Sequence, residues 1–423
     1  MGCPKNEVDT ELVLGKLVEG GMVFSRRLEG VDLVVLNTCA FIDSAIEESL
    51  SWISRLISLK RRGVIRRIAV IGCLFQRYKE TLFRCFEEID YFAGTGYPQE
   101  VGDFLLSCVK SGAKRKVFLK SLPNSWVEKG PRFPFKNAFY SYIKIAEGCN
   151  NRCAYCVIPS LRGPYRSKPL DMILEEAENL LKSGIKELIL ISQDNTLYSP
   201  SLPLLLRKLS ELSGDFWIRV LYLYPARITA DLLETILALE KVCSYLDIPV
   251  QHVNSRILSL MKRRYTSREL HFLFGGIRAL SEDICLRTTV MLGFPGESRE
   301  AFKELLSFVS DVRFDRLGSF IYSPQEGTDS FCMKPVPLRV ARRRRDVLMK
   351  LQRAISRRRN ELFVEKTMRV LVERPGVGRS YRDAPEIDGV IYFEGEAKPG
   401  SFINVKIQKA GDYDLWGAVE GRE

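Results

Sequence analysis

The sequence contains only two histidines, His252 and His271, and no second C-x-x-C pair beside the one at Cys153 and Cys156. Both shortages count against a zinc knuckle, which needs a fourth Cys or His ligand. It also lacks any uncharged apolar run long enough to cross a bilayer, so no membrane-spanning helix is expected. The opening residues Met1-Gly2-Cys3-Pro4-Lys5-Asn6-Glu7 do not have the charged-then-apolar layout of a secretory signal. Low-complexity tracts are missing too. A cytoplasmic protein without membrane partners is the expectation. There metal or redox chemistry is a better default for its eleven cysteines than disulfides, because that compartment is reducing.

The rest of the composition is that of a globular chain, 46% hydrophobic and 27% charged over 423 residues, enough for two or three cores. A net charge of +12 favours an anionic partner such as nucleic acid or a ribonucleoprotein. The excess is local. Residues 338–366 carry 11 Lys or Arg against three acids, whereas residues 367–423 carry eight against ten.

The pattern predicts an α/β protein of three regions. In residues 1–120, the short apolar runs 31–37 and 67–72 read as buried strands of an open, mostly parallel sheet, separated by a helix over 44–58. Each run ends at a cysteine, Cys39 and Cys73, and ligands bind at strand carboxyl ends in such sheets. Residues 121–136 read as a linker. Over 135–365, six strands (141–146, 187–191, 217–223, 245–250, 287–292, 317–322) alternate with helices such as 170–183, 230–239 and 299–310. That is a partial (β/α)6 barrel, with its chemistry at the strand carboxyl ends. A basic helix follows, and its charges either face solvent or touch ribosomal RNA. From 366 to 423, β-type runs at 368–372, 389–392, 402–407 and 415–419 predict a small OB-like β-barrel.

The motif with the clearest chemistry is Cys149-Asn150-Asn151-Arg152-Cys153-Ala154-Tyr155-Cys156, just beyond the first barrel strand. Three thiolates in so short a loop suit three corners of a 4Fe–4S cluster and leave one iron without a protein ligand. This spacing, with Tyr155 before the last cysteine, resembles the radical S-adenosylmethionine superfamily. The resemblance implies that S-adenosylmethionine chelates the open iron and is cleaved there to a 5′-deoxyadenosyl radical. Gly293-Phe294-Pro295-Gly296-Glu297 looks like that superfamily's cofactor-contacting turn, although such a turn also simply closes a strand–helix connection. Tyr155, Gln193, Asp194, Gly293, Gly296 and Glu297 are therefore candidate cofactor contacts, with helix capping the competing role for Asp194. His252, also at a strand end, reads as a neutral, hydrogen-bonded histidine rather than a ligand.

Cys3, Cys39 and Cys73 form a second set, within Gly2-Cys3-Pro4-Lys5-Asn6, Asn37-Thr38-Cys39 and Gly72-Cys73-Leu74. Spacing alone divides evenly between buried thiols and ligands. In order and in context, however, the three motifs resemble the N-terminal domain of the methylthiotransferase family, which implies an auxiliary 4Fe–4S cluster carrying the sulfur to be transferred. Cys85, Cys108, Cys243, Cys285 and Cys332 match no ligand motif and read as structural.

Within that family, Leu246-Asp247-Ile248-Pro249-Val250-Gln251-His252, Asp383-Ala384-Pro385-Glu386-Ile387-Asp388-Gly389 and Tyr413-Asp414-Leu415-Trp416-Gly417 resemble the branch acting on a ribosomal protein. The resemblance implies methylthiolation of an aspartate β-carbon in protein twelve of the small ribosomal subunit, free or in the ribosome. One S-adenosylmethionine would serve as methyl donor and a second as radical source, with electrons and sulfur supplied from outside. The slightly acidic terminal barrel suits a basic protein better than RNA. Transfer-RNA adenosine is the alternative substrate, and a non-catalytic iron–sulfur or zinc RNA-binding module the alternative class. The family also implies a strand before Gly2-Cys3-Pro4, so a start upstream of Met1 is expected.

Overall fold

The computed structural model describes residues 2–128, 130–136 and 138–420. The chain forms two compact units. One comprises Met1–Asn137, Ala146–Arg152 and Cys156–Lys168, the other Ala138–Ile145, Cys153–Tyr155 and Pro169–Glu423.

In the first unit α1 (Pro4–Glu19), β1 (Val34–Thr38), α2 (Asp43–Arg61), β2 (Ile68–Gly72), α3 (Cys73–Cys85), β3 (Tyr91–Ala93), α4 (Pro98–Ser111) and β4 (Lys116–Phe118) alternate along the chain. The strands make one parallel sheet in the order β1-β2-β3-β4. Its central strand, Ile-Ala-Val-Ile-Gly, is buried throughout, as a parallel strand covered on both faces must be. Ile68, Val70 and Phe92 pack with Ile53, Leu56 and Ile57 of α2. Ala69, Ile71 and Tyr91 pack with Val13 and Leu17 of α1 and Val101 and Leu105 of α4. After β5 (Tyr140–Lys144), which belongs to the second unit, β6 (Ala146–Glu147), α5 (Ile158–Arg162) and β7 (Arg166–Ser167) complete the first, β6 pairing antiparallel with β7.

The second unit continues with α6 (Leu170–Lys182), β8 (Glu187–Ile191), α7 (Leu202–Ser210), β9 (Trp217–Val220), α8 (Ala230–Ala238), β10 (Tyr245–Asp247), α9 (Ser255–Leu260), α10 (Ser267–Leu280), β11 (Cys285–Leu292), α11 (Arg299–Val312), β12 (Arg316–Ile321) and α12 (Leu338–Glu361). Its six parallel strands lie in two three-stranded arcs, β5-β8-β9 and β10-β11-β12. An isolated bridge from Ile218 to Val242 and a hydrogen bond from the Leu223 N–H to the Asp247 carbonyl (2.8 Å) link the arcs. Alternate residues (Ile143, Leu188, Leu190, Ile218, Val220, Leu286, Val290) join the helices in one apolar core. The intervening residues, among them Glu187, Arg219, Asp247 and Arg287, take the opposite face of the strands. This is an incomplete α/β barrel.

Five strands, β13 (Thr367–Arg374), β14 (Val377–Arg379), β15 (Ile391–Glu394), β16 (Phe402–Ala410) and β17 (Leu415–Val419), close the terminal barrel in the order β13-β14-β15-β17-β16. The three-residue β14 is absent from the sequence-based reading because Val-Gly-Arg carries no alternation to detect. Charges join this barrel to the amino ends of the α/β strands. Glu187, first in β8, pairs with Arg219 (2.6 Å) and Arg379 (2.7 Å). Arg316, first in β12, pairs with Asp383 (2.6 Å), and Tyr245, first in β10, donates to Asp388 (2.6 Å). The strands' carboxyl ends, where barrel chemistry takes place, lie away from this joint. Among the described residues no helix is long and apolar enough to cross a membrane.

Candidate functional site

Local structure brings the first cysteine set to one sheet edge. β1 and β2 pair with Thr38 opposite Gly72, so Cys39 and Cys73, each the next residue, leave neighbouring strand ends. Cys3 is the cap residue of α1, and Cys73 is the first residue of α3. Two helices therefore begin at this edge. Asn6 secures the third corner. Its Nδ2 donates to the Thr38 carbonyl (3.0 Å), its own carbonyl accepts from Asn37 Nδ2 (2.9 Å), and its Oδ1 lies 3.8 Å from Cys3 Sγ. Burial pushes the Cys73 thiol up to about 12; Arg162 opposes the shift, and the nearby Cys3 and Cys39 add to it. Burial also raises the Cys39 thiol, and thiols held protonated in this way are donors suited to a cationic metal group, which displaces the protons on binding.

Gly72 makes this edge possible. Its φ of +94° is a conformation other residues rarely adopt, and an added Cβ would lie 2.3 Å from Asn37 Oδ1 and 2.9 Å from the Thr38 carbonyl. Gly72→Ala is expected to cost about 1–3 kcal/mol through backbone strain and to move Cys73 off the edge. Iron analysis after anaerobic reconstitution should show loss of about half the iron, with little loss of helix by circular dichroism.

In the second set, Cys149 donates its N–H to the Gly163 carbonyl (3.1 Å) and its Sγ accepts from the Asn151 N–H (3.5 Å). Ala154, next to Cys153, donates to the Met261 carbonyl (3.0 Å), and its own carbonyl accepts from the Ser330 N–H (2.9 Å). Cys149, Cys153 and Cys156 are all partly exposed. Three thiols on one short loop, pinned by its backbone, suit a cluster with one corner left open.

The remaining candidates take definite places. Tyr155 meets Phe294 edge-on, with ring centroids 6.3 Å apart. Gly293 and Gly296 both have positive φ, and the Glu297 carboxylate holds their turn, accepting from the Gly293 N–H (2.7 Å) and from Arg344 (2.5 Å). Asp194 caps the short helix at Asn195–Leu197 by accepting from the Thr196 N–H (3.1 Å), and it also pairs with Arg227 (2.7 Å). Gln193 lies two residues beyond the end of β8, next to that cap. His252 is fully buried, and its Nδ1 accepts from the Asn254 N–H (3.0 Å). Burial, helped by Arg344, pulls its pKa down to about 3, so it is neutral at physiological pH, as expected from the sequence. Cys108, Cys243 and Cys285 are buried, whereas Cys85 and Cys332 are exposed.

Two arginines escaped sequence reading. Arg263 donates to Cys153 Sγ (3.5 Å) and to the Pro249 carbonyl (2.9 Å), with its guanidinium over the Tyr224 ring. Arg162 is buried beside the first set. Neither stands out in the chain, because their partners are distant in sequence.

A partial α/β barrel with a three-cysteine loop after its first strand defines a radical S-adenosylmethionine enzyme, and the Radical SAM superfamily model matches residues 143–309. The model described as Uncharacterized protein family UPF0004 matches residues 1–94, and that of the TRAM domain matches residues 364–419. Among solved structures, the radical S-adenosylmethionine methyltransferase TsrM from Kitasatospora setae shares the fold. Its TM-score is 0.59 at 15% identity, over 78% of this chain and 71% of that one. The ribosomal protein uS12 methylthiotransferase RimO of Thermotoga maritima is 40% identical over 99% of this chain and 98% of its own length. The proteins of that name from Pelotomaculum thermopropionicum and Geobacter sulfurreducens are 42% and 41% identical, each over 99% of this chain and 97% of theirs. The chain belongs to the RimO family. It is a radical S-adenosylmethionine methylthiotransferase, and its cofactors are S-adenosylmethionine and two 4Fe–4S clusters.

Proposed function

We propose that this enzyme transfers a methylthio group to the β-carbon of an aspartate in small-subunit ribosomal protein uS12. The observation that carries the reading is the presence of two separate three-cysteine sets in a chain that aligns end to end with uS12 methylthiotransferases. Cys149, Cys153 and Cys156 hold one cluster, and Cys3, Cys39 and Cys73 hold the auxiliary one. With S-adenosylmethionine and an externally supplied electron, the first would provide radical chemistry at the substrate C–H bond, and the second, with a further S-adenosylmethionine as methyl donor and sulfur supplied from outside, would provide the methylthio group. The chain's own residues shape the surroundings. The Gly293–Glu297 segment, stiffened by the Glu297 carboxylate, and Tyr155, packed on Phe294, would bind and orient the cofactor. Asp194 and Gln193 flank the same barrel end. Arg263, bonded to Cys153, keeps positive charge beside that thiolate.

The organisation proposed is a cluster domain over 1–120, a radical core over 135–365 and a TRAM barrel over 366–423, acting in the cytoplasm with external electron and sulfur donors. The test is the intact mass of uS12 from cells lacking their own enzyme, with and without this gene. A gain of one methylthio group on an aspartate establishes reaction and substrate. No gain with soluble, cluster-loaded protein overturns the uS12 reading, and a methylthio group on transfer RNA in the same cells would replace it.

The outward face of α12 supports contact with ribosomal RNA. Ala341, Leu348, Gln352, Ile355 and Arg359 form its buried side, and Arg344 turns inward onto Glu297. Helical spacing places Arg339, Arg342, Arg343 and Lys350, all exposed, on the opposite side. Replacing Arg339, Arg342 and Arg343 by Gln is expected to flatten the salt dependence of small-subunit binding by about 0.7–0.9 in log–log slope per lost phosphate contact. An unchanged slope removes the contact.

A further inference from the structure

Arg162, at the end of α5, is a buried charge to which cluster ligation alone gives no task; it is 2% exposed. Its Nη1 reaches Asp9 Oδ2 at 2.5 Å and Glu147 Oε2 at 3.4 Å, and its Nη2 donates to Asn6 Oδ1. Asn6 is the residue that lies beside Cys3 Sγ and holds the Thr38 carbonyl next to Cys39. Arg162 also lies close enough to Cys73 to oppose the rise that burial imposes on that thiol. One guanidinium is thus tied to all three cysteine positions. Asp9, Glu128 and Glu147 place carboxylate oxygens within 4.8 Å of one another. Two of the three bind Arg162, which marks them as its counter-charge.

We propose that Arg162 is a positioning residue for the N-terminal cysteine set, fixing the charge at its sulfur edge and thereby the potential at which a cluster held there is reduced. The proposal rests on the assignment of Cys3, Cys39 and Cys73 as ligands. One-electron reduction adds negative charge to a group already surrounded by three thiolates. A buried cation stabilises the reduced form more than the oxidised form, and little salt or water screens it. Asp9 and Glu147 subtract from that effect. The potential therefore follows the balance between one arginine and two carboxylates.

The test is a redox titration followed by electron paramagnetic resonance. It uses the full chain with Cys149, Cys153 and Cys156 replaced by Ala, so that only the N-terminal cluster is read. Arg162→Gln is expected to lower the midpoint potential, Asp9→Asn to raise it, and Arg162→Lys to restore most of the wild-type value. Opposite shifts from two neutralisations cannot arise from general loosening of the fold. Should Arg162→Gln fail to hold iron, Asp9→Asn and Arg162→Lys still decide. A loaded cluster whose potential is unmoved by these variants, or moves the same way in both neutralised ones, overturns the role of Arg162 and leaves the ligand assignment standing. A background variant that binds no iron at all overturns the assignment, and this inference with it.

Discussion

Replacing Cys149, Cys153 and Cys156 together by alanine is expected to reduce cleavage of S-adenosylmethionine to the no-enzyme background. Replacing Cys3, Cys39 and Cys73 is expected to leave cleavage intact and abolish methylthio transfer. Either triple variant should lose about four of about eight irons per chain, on the proposal that each set holds one 4Fe–4S cluster. Two readouts separate the sets, 5′-deoxyadenosine released on reduction and the mass of uS12 after turnover. The asymmetry follows from the places the sets occupy. The second lies on a loop after β5, the opening strand of the α/β barrel, with Cys153 bonded to Arg263. The first lies at the edge of a different sheet, anchored by Asn6 and Gly72. Cys85 and Cys332 are exposed and lie outside both motifs. Serine at either position should leave both readouts unchanged. If the Cys3/Cys39/Cys73 variant still transferred sulfur, the auxiliary-cluster assignment would fall.

Much of the frame is legible in the chain because buried parallel strands are written as plain apolar runs. β8 and β17 have the limits that periodicity assigns them, 187–191 and 415–419. Elements serving the cysteine edge are harder to read. α1 carries Val8, Leu12, Val13 and Leu17 at helical spacing, but its buried face also includes Asn6, Asp9 and Glu11. Those polar residues bind Thr38, Arg162 and Arg132 rather than solvent, which blurs the amphipathic pattern. The cysteines announce themselves by spacing within short motifs. The arginines do not, since Arg162 meets Asp9 across 153 positions and Arg263 meets Cys153 across 110. Pairing over such distances is a property of the fold, and no local pattern encodes it. The basic run at 342–345 shows the same limit, because only the structure separates Arg344, turned onto Glu297, from its exposed neighbours.

The largest stability effect is expected at Asp315, the residue before β12. It is fully buried and binds three arginines: Oδ2 pairs with Arg278 (2.8 Å), and Oδ1 with Arg359 (2.9 Å) and Arg382 (2.9 Å). Its Oδ2 also accepts from the Leu286 N–H (2.9 Å). Arg278 comes from α10, Arg359 from α12 and Arg382 from the terminal barrel, so one carboxylate fastens three layers. Asp315→Ala would leave three guanidinium groups buried without that counter-charge, and arginine cannot escape by losing its proton. Breaking one buried pair costs about 3–5 kcal/mol, so the loss should reach at least that range, a large share of a typical domain's stability. Denaturant melts should show an early transition as the terminal barrel detaches. Lys366→Ala removes the exposed Lys366–Asp283 pair (3.6 Å) and should change stability by no more than about 1 kcal/mol. Acid titration provides a second check. Burial alone would raise the Asp315 pKa, but Arg382, Arg278 and Arg359 outweigh it and hold the value at about 2, below the ordinary 3.8. A depressed carboxylate contributes stability that is complete above its unfolded pKa and is lost as pH falls through the folded one. Wild-type protein should therefore lose this contribution between about pH 4 and pH 2, while Asp315→Asn should start lower and show a shallower acid limb. Equal acid limbs in the two proteins would mean that the three arginines do not hold Asp315 ionised in the folded state.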